Sequence, residues 1–225
     1  MVRFLPDQQV REKLFFTKSI FPAAIRSKRC SSYTFYRRNI AILLGNYDMF
    51  LTVWLGLGAN VSGNFTTPVE SLAWALQELA AHGMHVEEVS AVYRSRAMGV
   101  VRQPDYYNAV ARISHAPPPA RLLHLVKTLE RRAGRTLGVH WGPRPLDIDI
   151  LAHGSRIIGH PQRATRRGTL IVPHPGLADR EFVLVPLAEL APHWRHPLLR
   201  LTAGELLRRR PGVRRRARSM VRLPR

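Results

Sequence analysis

Trp141-Gly-Pro-Arg144-Pro-Leu-Asp147-Ile-Asp149-Ile-Leu-Ala152 is the stretch from which the rest of the chain can be read. Its second half is an apolar run in which two carboxylates alternate with isoleucines. Side chains alternate in a strand, with a rise of about 3.3 Å per residue, so Asp147 and Asp149 share a face roughly 6–7 Å apart at Cα. Ile148 and Ile150 point the other way, into a core. Carboxylates on strands are usually solvated, but aspartate is a poor strand former. Two on one face of a half-buried strand therefore favour a metal site. A pair of hard oxygen donors suits Mg²⁺, and Arg144, three residues upstream, suits a phosphate. The segment points towards phosphoryl transfer.

Working outward, the pattern predicts a strand over Leu146 to Ala152, preceded by regular elements from Phe50 onward. Leu51 to Leu57 reads as a strand ending in the glycine-rich turn Gly56-Leu-Gly58-Ala-Asn60. Pro68 suits a helix's first turn, and Leu72, Leu76, Leu79 and Ala80 give a helix over about 67–81. His85 to Tyr93 alternates as a strand, and Tyr107 to Ser114 is another. After Pro117-Pro-Pro119, Leu122, Leu125, Val126 and Leu129 mark a second helix. Residues 155–172 read as a basic loop with an apolar end at Leu170 to Val172. Phe182 to Leu190 is apolar and ends as a short helix. The order strand–helix–strand–strand–helix–strand is ferredoxin-like. It predicts an α+β sandwich, mainly antiparallel, with helices on one sheet face and extra C-terminal elements.

The formal charge of +20 invites a nucleic-acid reading. Its distribution argues otherwise: residues 1–48 carry +6, residues 195–225 carry +10 and residues 49–194 only +4. The expected organisation is an extension over 1–48, a domain over 49–198, and a short helix with an Arg-rich tail over 199–225, solvated and mobile from Arg208. Three readings compete for the first segment: a disordered arm, an upstream stretch of a gene model with Met49 the true start, or an acid-poor transit peptide. The lone cysteine, Cys30, excludes an internal disulfide framework and fits a reducing compartment. No run of about 18 apolar residues exists. A cytoplasmic, monomeric protein is expected, with organellar import the rival.

The residues also resemble a known family. Leu55-Gly-Leu-Gly-Ala-Asn60, Tyr93-Arg-Ser95, Gln103-Pro-Asp-Tyr-Tyr-Asn108, Glu130, Gly134-Arg135, Trp141 to Asp149, Val172-Pro-His174 and Arg180-Glu-Phe182 are together similar to the 6-hydroxymethyl-7,8-dihydropterin pyrophosphokinases. The Trp-Gly-Pro-Arg-x-Leu-Asp-x-Asp string is the most specific part, and the match runs from about residue 52 to 197. That family moves the terminal pyrophosphoryl group of ATP to the hydroxymethyl group of a reduced pterin, leaving AMP, on the way to folate.

The resemblance implies roles residue by residue. Asp147 and Asp149 would bridge two Mg²⁺ ions against the ATP phosphates. Arg135 and Arg144 would contact the phosphates as catalytic residues, and His174 and Arg180 would also hold the triphosphate. Glu130, Trp141 and Ile150 fall at nucleotide-side positions. The pterin ring would lie between Tyr106 and Phe182, with Asn108 and groups from Ser95 to Met98 reading its edge. Taken singly, Tyr106, Phe182 and Trp141 read as core, Glu130 as a solvated helix face, and His174 as structural. The chain departs from the pattern at Leu137 and His140, where basic residues are common, and at Lys127, where a polar residue is common. No Gly-x-x-x-x-Gly-Lys-Ser/Thr loop occurs, and Gly-x-Gly-x-x-Gly fails because position 61 is Val.

Overall fold

Strand β1 (Val53–Ala59) is hydrogen-bonded on both sides, to β4 (Tyr106–Ser114) and to β5 (Asp147–His153), antiparallel in each case. Its own alternation explains the position: Val53, Leu55, Leu57 and Ala59 are buried on one face, while Trp54, Gly56 and Gly58 face the other. The structure, a computed structural model, describes residues 52–97, 103–136, 142–159, 169–209, 212–213, 217 and 219–223. The N-terminal extension, the end of the Ser95 to Met98 segment, and the run Leu137 to Trp141 lie outside the described residues, as does the middle half of the basic loop.

The remaining elements are α1 (Pro68–Ala81), β2 (His85–Val89), β3 (Tyr93–Ser95), α2 (Pro119–Arg132), α3 (Glu181–Leu190), α4 (Ala203–Arg209) and β6 (Val221–Arg222). The sheet runs β5-β1-β4-β3-β6, with β2 also pairing β4. The first six elements of the expected order thus fold as a ferredoxin-like unit, one predicted strand being divided. Helix α1 begins with Thr67 as its N-cap, whose hydroxyl accepts from the Glu70 amide at 3.3 Å, followed by Pro68 in the first turn.

Helices α1 and α2 cover one sheet face. Leu72, Ala75 and Leu79 from α1 and Leu122, Val126 and Leu129 from α2 pack with Val53, Leu55, Leu57, Ile148 and Ile150. Each fully buried leucine or isoleucine contributes about 1.5–3 kcal/mol of transfer free energy, which outweighs the cost of two aspartates in β5. The C-terminal elements cover part of the opposite face, where Val183, Leu184, Leu187 and Leu206 meet Trp54, Val110 and Leu151. The rest of that face stays open, and the aspartates are there.

Two expectations change. His85 to Tyr93 is not one strand: the β2–β4 register shifts between Val86 and Glu88. Ser90 then takes over at Val110, donating its amide to the Val110 carbonyl at 2.9 Å and accepting from the Val110 amide on Oγ at 3.0 Å. A side chain replaces a ladder bond, and the strand breaks there. The tail is also not a solvated end throughout. Val221 and Arg222 return to the sheet and pair with Arg94 and Tyr93. No helix among the described residues is long and apolar enough to cross a membrane.

Candidate active site

Sheet register brings the predicted residues together. Gly58 of β1 is opposite Asn108 on one side and opposite Asp147 on the other, and Gly56 is likewise opposite Val110 and Asp149. Directly paired residues share a face, so Asn108, Gly58 and Asp147 form one row across three strands. The glycines leave a bare floor between the amide and the carboxylate. A Cβ on Gly58 would meet Asn108 Oδ1 at 3.1 Å, and one on Gly56 would meet Leu151 Cδ2 at 3.3 Å. A cleft opens over this floor, with Tyr106 and Phe182 among its walls and Arg144, Asp147, Asp149 and Arg180 at its polar end.

The polar end is a ladder of alternating charge. Arg135 Nη1 lies 2.6 Å from both Asp147 Oδ1 and Glu130 Oε2, and Arg144 Nη1 donates to Asp147 Oδ2 at 2.5 Å. Asp149 Oδ2 is 3.4 Å from Arg180 Nη1 and 3.8 Å from His174 Nε2. Burial alone would raise the Asp147 carboxyl, but Arg144, Arg135 and Lys127 outweigh it and hold it below the usual carboxylate range. Asp147 is therefore ionised at neutral pH. Burial would likewise lower the Arg135 guanidinium, and Asp147 and Glu130 reverse that.

Glu130 is the hub beneath the ladder, 2% exposed. Its Oε1 accepts from Lys127 Nζ at 2.7 Å and from the Ile148 amide at 2.9 Å, so it ties α2 to the strand between the two aspartates. Burial pushes its carboxyl up, against the pull of Lys127. The solvated helix-face reading fails because Glu130 follows Val126 by one helical turn on the buried stripe. Ile150 places its side chain in the α1–α2 core.

His174 is held by main-chain contacts. Its amide donates to the Leu151 carbonyl at 2.9 Å, its carbonyl accepts from the Leu177 amide at 2.9 Å, and its Nδ1 accepts from the Gly176 amide at 3.1 Å. A ring nitrogen that accepts carries no proton in the neutral ring, so Nε2 carries it, directed at Asp149. Burial lowers the His174 imidazolium pKa despite the nearby Asp149. The Arg180 side chain lies directly over Gly176, where a Cβ would sit 2.5 Å from Arg180 Nε. Arg180 also lies over the Phe182 ring, 5.8 Å from its centroid.

At the apolar end, Asn108 Nδ2 donates to Ser95 Oγ at 3.0 Å, both side chains buried. Burial raises the Tyr106 phenol, which donates to the Gly142 carbonyl at 3.3 Å. Met98 and Trp141 lie outside the described residues. Asn60 has a positioning role that the sequence reading did not assign. Its Oδ1 accepts from the Arg144 amide at 2.7 Å, and its Nδ2 donates to Gln103 Oε1 at 3.0 Å and to the Pro104 carbonyl at 3.2 Å. One buried amide thus joins the segments that begin β4 and β5.

The donor set can be tested against a divalent cation. Two carboxylates share a face, and no group of three or more His, Cys, Asp or Glu side chains suited to a metal occurs among the described residues. Two carboxylates without further protein ligands fit Mg²⁺ that is completed by substrate phosphates and water. They do not make a closed protein cage.

Comparison with known proteins gives a consistent result. Residues 54–192 match the family model described as 7,8-dihydro-6-hydroxymethylpterin-pyrophosphokinase. A 2-amino-4-hydroxy-6-hydroxymethyldihydropteridine pyrophosphokinase of Haemophilus influenzae is 38% identical over 142 residues, spanning 63% of this chain and 82% of that protein. Its namesake in Aquifex aeolicus is 36% identical over 149 residues, spanning 66% and 86% respectively. The Arabidopsis thaliana relative named "Folate synthesis bifunctional protein, mitochondrial" is 36% identical over 61% of this chain and 23% of its own. Among solved structures, wild-type Plasmodium falciparum HPPK-DHPS superposes with a TM-score of 0.53 at 15% identity, over 75% of this chain. It supports the fold alone, and this chain spans 42% of that protein's length. The chain belongs to the 7,8-dihydro-6-hydroxymethylpterin-pyrophosphokinase family.

Proposed function

We propose that this chain transfers pyrophosphate from ATP to 6-hydroxymethyl-7,8-dihydropterin, giving AMP and the pterin diphosphate in folate synthesis. One observation carries the reading: the Asn108–Gly58–Asp147 row sets a hydrogen-bonding amide for a heterocycle and a carboxylate for a metal over one glycine floor. Tyr106 and Phe182 are the stacking surfaces for the pterin, and Asn108 with Ser95 reads its edge. Met98 belongs to the same reading on the pterin side, and Trp141 on the nucleotide side.

Mg²⁺, two ions in this reading, would be held by Asp147 and Asp149. When bound, it neutralises charge on the triphosphate and templates in-line attack. The chain's own residues do the rest. Arg135 and Arg144 leave Asp147 and turn to phosphate oxygens, exchanging one anion for another at little cost in desolvation. Arg180 and His174 do the same from Asp149, with His174 Nε2 donating as a neutral imidazole. Glu130 keeps Arg135 at the floor of the site during that exchange. The pterin hydroxyl then attacks the β-phosphorus, gives up its proton to water, and the bond to the AMP oxygen breaks. The protein contributes positioning and electrostatics without a covalent intermediate.

The monomer is the working state in this reading, and the cytoplasm the compartment, with import directed by the N-terminal segment as the alternative. The test is purified full chain with ATP, Mg²⁺ and 6-hydroxymethyl-7,8-dihydropterin, following AMP. Pterin-dependent AMP release is expected. Release no greater than in the pterin-free control would sink the assignment.

A further inference from the structure

Strand β3 is only three residues long, yet its last residue, Ser95, holds the Asn108 amide. On its inner side β3 pairs with Asn108, Tyr107 and Tyr106. On its outer side it would be a bare edge but for the C-terminal segment. Val221 and Arg222 pair with Arg94 and Tyr93, and the Leu223 amide donates to the Val92 carbonyl at 2.9 Å. Glu189, on α3, locks the junction from a third direction. Its Oε2 accepts from the Ala91 amide at 3.1 Å and from Tyr93 Oη at 3.2 Å, and its Oε1 accepts from Arg222 Nη2 at 2.9 Å. One carboxylate therefore joins helix, edge strand and tail.

We infer that residues 221–223 and Glu189 form a strap that positions Ser95 and Asn108 for the pterin, making Arg222 and Glu189 positioning residues. This inference rests on the proposed pterin site. A two-residue strand at a sheet edge has little affinity of its own, and an isolated exposed ion pair adds little. Here, however, the strand bonds, the Tyr93 hydroxyl and the Ala91 amide tie down residues 91 to 94, and Ser95, the next residue, holds the Asn108 amide. The α3 helix that supplies Glu189 also supplies Phe182, so the strap links the stacking surface to the edge-reading surface. The ATP ladder on β5 and α2 makes no contact with Glu189 or Arg222 in the bonds described above. Loosening the strap should therefore affect one substrate and leave the other unchanged.

The test uses the full chain with Arg222→Ala, which removes the ion pair, and separately Leu223→Pro, which removes the amide donor to Val92. Each is expected to raise the KM for the pterin about five- to tenfold, the size of one lost ordinary hydrogen bond. KM for MgATP and the affinity for MgATP alone by calorimetry should stay within about twofold, inside the spread of surface substitutions. Arg222→Lys should restore most of the pterin KM. Hydrogen exchange at residues 93–95 should rise in both variants, and this readout does not depend on turnover. If the wild-type chain releases no AMP, the pterin assignment fails, and calorimetric pterin binding with the exchange data still judges the strap. Unchanged pterin affinity with unchanged exchange overturns the inference. An equal rise in both KM values with a lower melting temperature also overturns it, because that is general loss of structure.

Discussion

Arg135 Nη1 stands 2.6 Å from Asp147 Oδ1, so the first carboxylate of the proposed metal pair is already neutralised by an arginine proposed to hold phosphate. Arg144 closes the other carboxylate oxygen at 2.5 Å. The charges are stored against each other, and MgATP would separate them. Asp147→Ala is therefore expected to cut AMP release on the order of 10²-fold or more, since the charge stabilising the transferred group is lost. The same change frees two guanidinium groups, so affinity for ATP measured with a chelator present should hold or rise. Full turnover by the variant would remove Asp147 from the metal assignment.

Glu130 makes the complementary case for stability. It is buried and accepts from Lys127, Arg135 and the Ile148 amide. Glu130→Ala leaves that amide without its acceptor and Arg135 with one anion fewer. Lys127 and Arg135 are 38% and 26% exposed and can turn to water. The cost should therefore fall at about 2–3 kcal/mol, below the range for a fully buried pair. Urea unfolding checks it, and a loss under about 0.5 kcal/mol, typical of a surface change, would show that the hub is solvated.

How far the sequence could be read follows from how local each signal is. The Asp147-Ile148-Asp149-Ile150 alternation is a period of two, and the structure keeps it intact, with the isoleucines in the core and the acids in the cleft. Glu130 needed a longer view: it lies one turn beyond Val126 on the stripe set by Leu122, and an acid on such a stripe signals a buried partner. Asn60 followed a glycine turn with no helix to cap, a weaker hint, and its three partners lie 43 to 84 residues away. The strap left no trace, because Val221 and Arg222 sit after an arginine-rich run without apolar period. Their placement depends on an edge that only tertiary structure creates. The strand break at Ser90 was equally hidden, since a serine hydroxyl replacing a ladder bond carries no pattern.

Asn60→Ala removes an acceptor for the Arg144 amide and donors to Gln103 and Pro104. The cleft floor is untouched, but the two segments leading into β4 and β5 lose their common anchor. We expect about 1–2 kcal/mol lower stability by denaturant and a fall in kcat/KM of roughly tenfold for each substrate. Asn60→Asp keeps the acceptor for the Arg144 amide and should recover part of the loss. A variant with wild-type kcat/KM for both substrates would reduce Asn60 to a turn residue.

Glu189 gives a pH dependence with a definite sign. Burial would raise its carboxyl, but hydrogen bonds from Arg222, the Ala91 amide and Tyr93 outweigh this and hold it below the usual carboxylate range. A depressed folded value means stability that is complete above the unfolded value of about 4.3 and is lost as pH falls through the folded one. The melting-temperature gap between wild type and Glu189→Gln should therefore be constant near neutrality and close as pH drops below about 4. A gap that widened on acidification would contradict the bonding seen here.

Gly58 separates the two halves of the site, and its substitution tests whether they work as one row. Its φ is not in the left-handed region, so alanine carries no backbone penalty. The added Cβ would stand 3.1 Å from Asn108 Oδ1 and 4.0 Å from Tyr106 Cδ1, both on the proposed pterin side. Asn108 can yield only by loosening its 3.0 Å bond to Ser95, because β4 itself is locked by its ladder. Gly58→Ala should therefore leave the melting temperature within about 2–4 °C of wild type. It should raise the pterin KM about tenfold, the equivalent of roughly 1.4 kcal/mol of displaced edge contact. Affinity for MgATP should not change, since the nearest atoms to the new methyl belong to Asn108 and Tyr106, not to Asp147. A larger effect on MgATP than on the pterin would mean that the floor serves the nucleotide, and the two substrates would have to exchange places along the row.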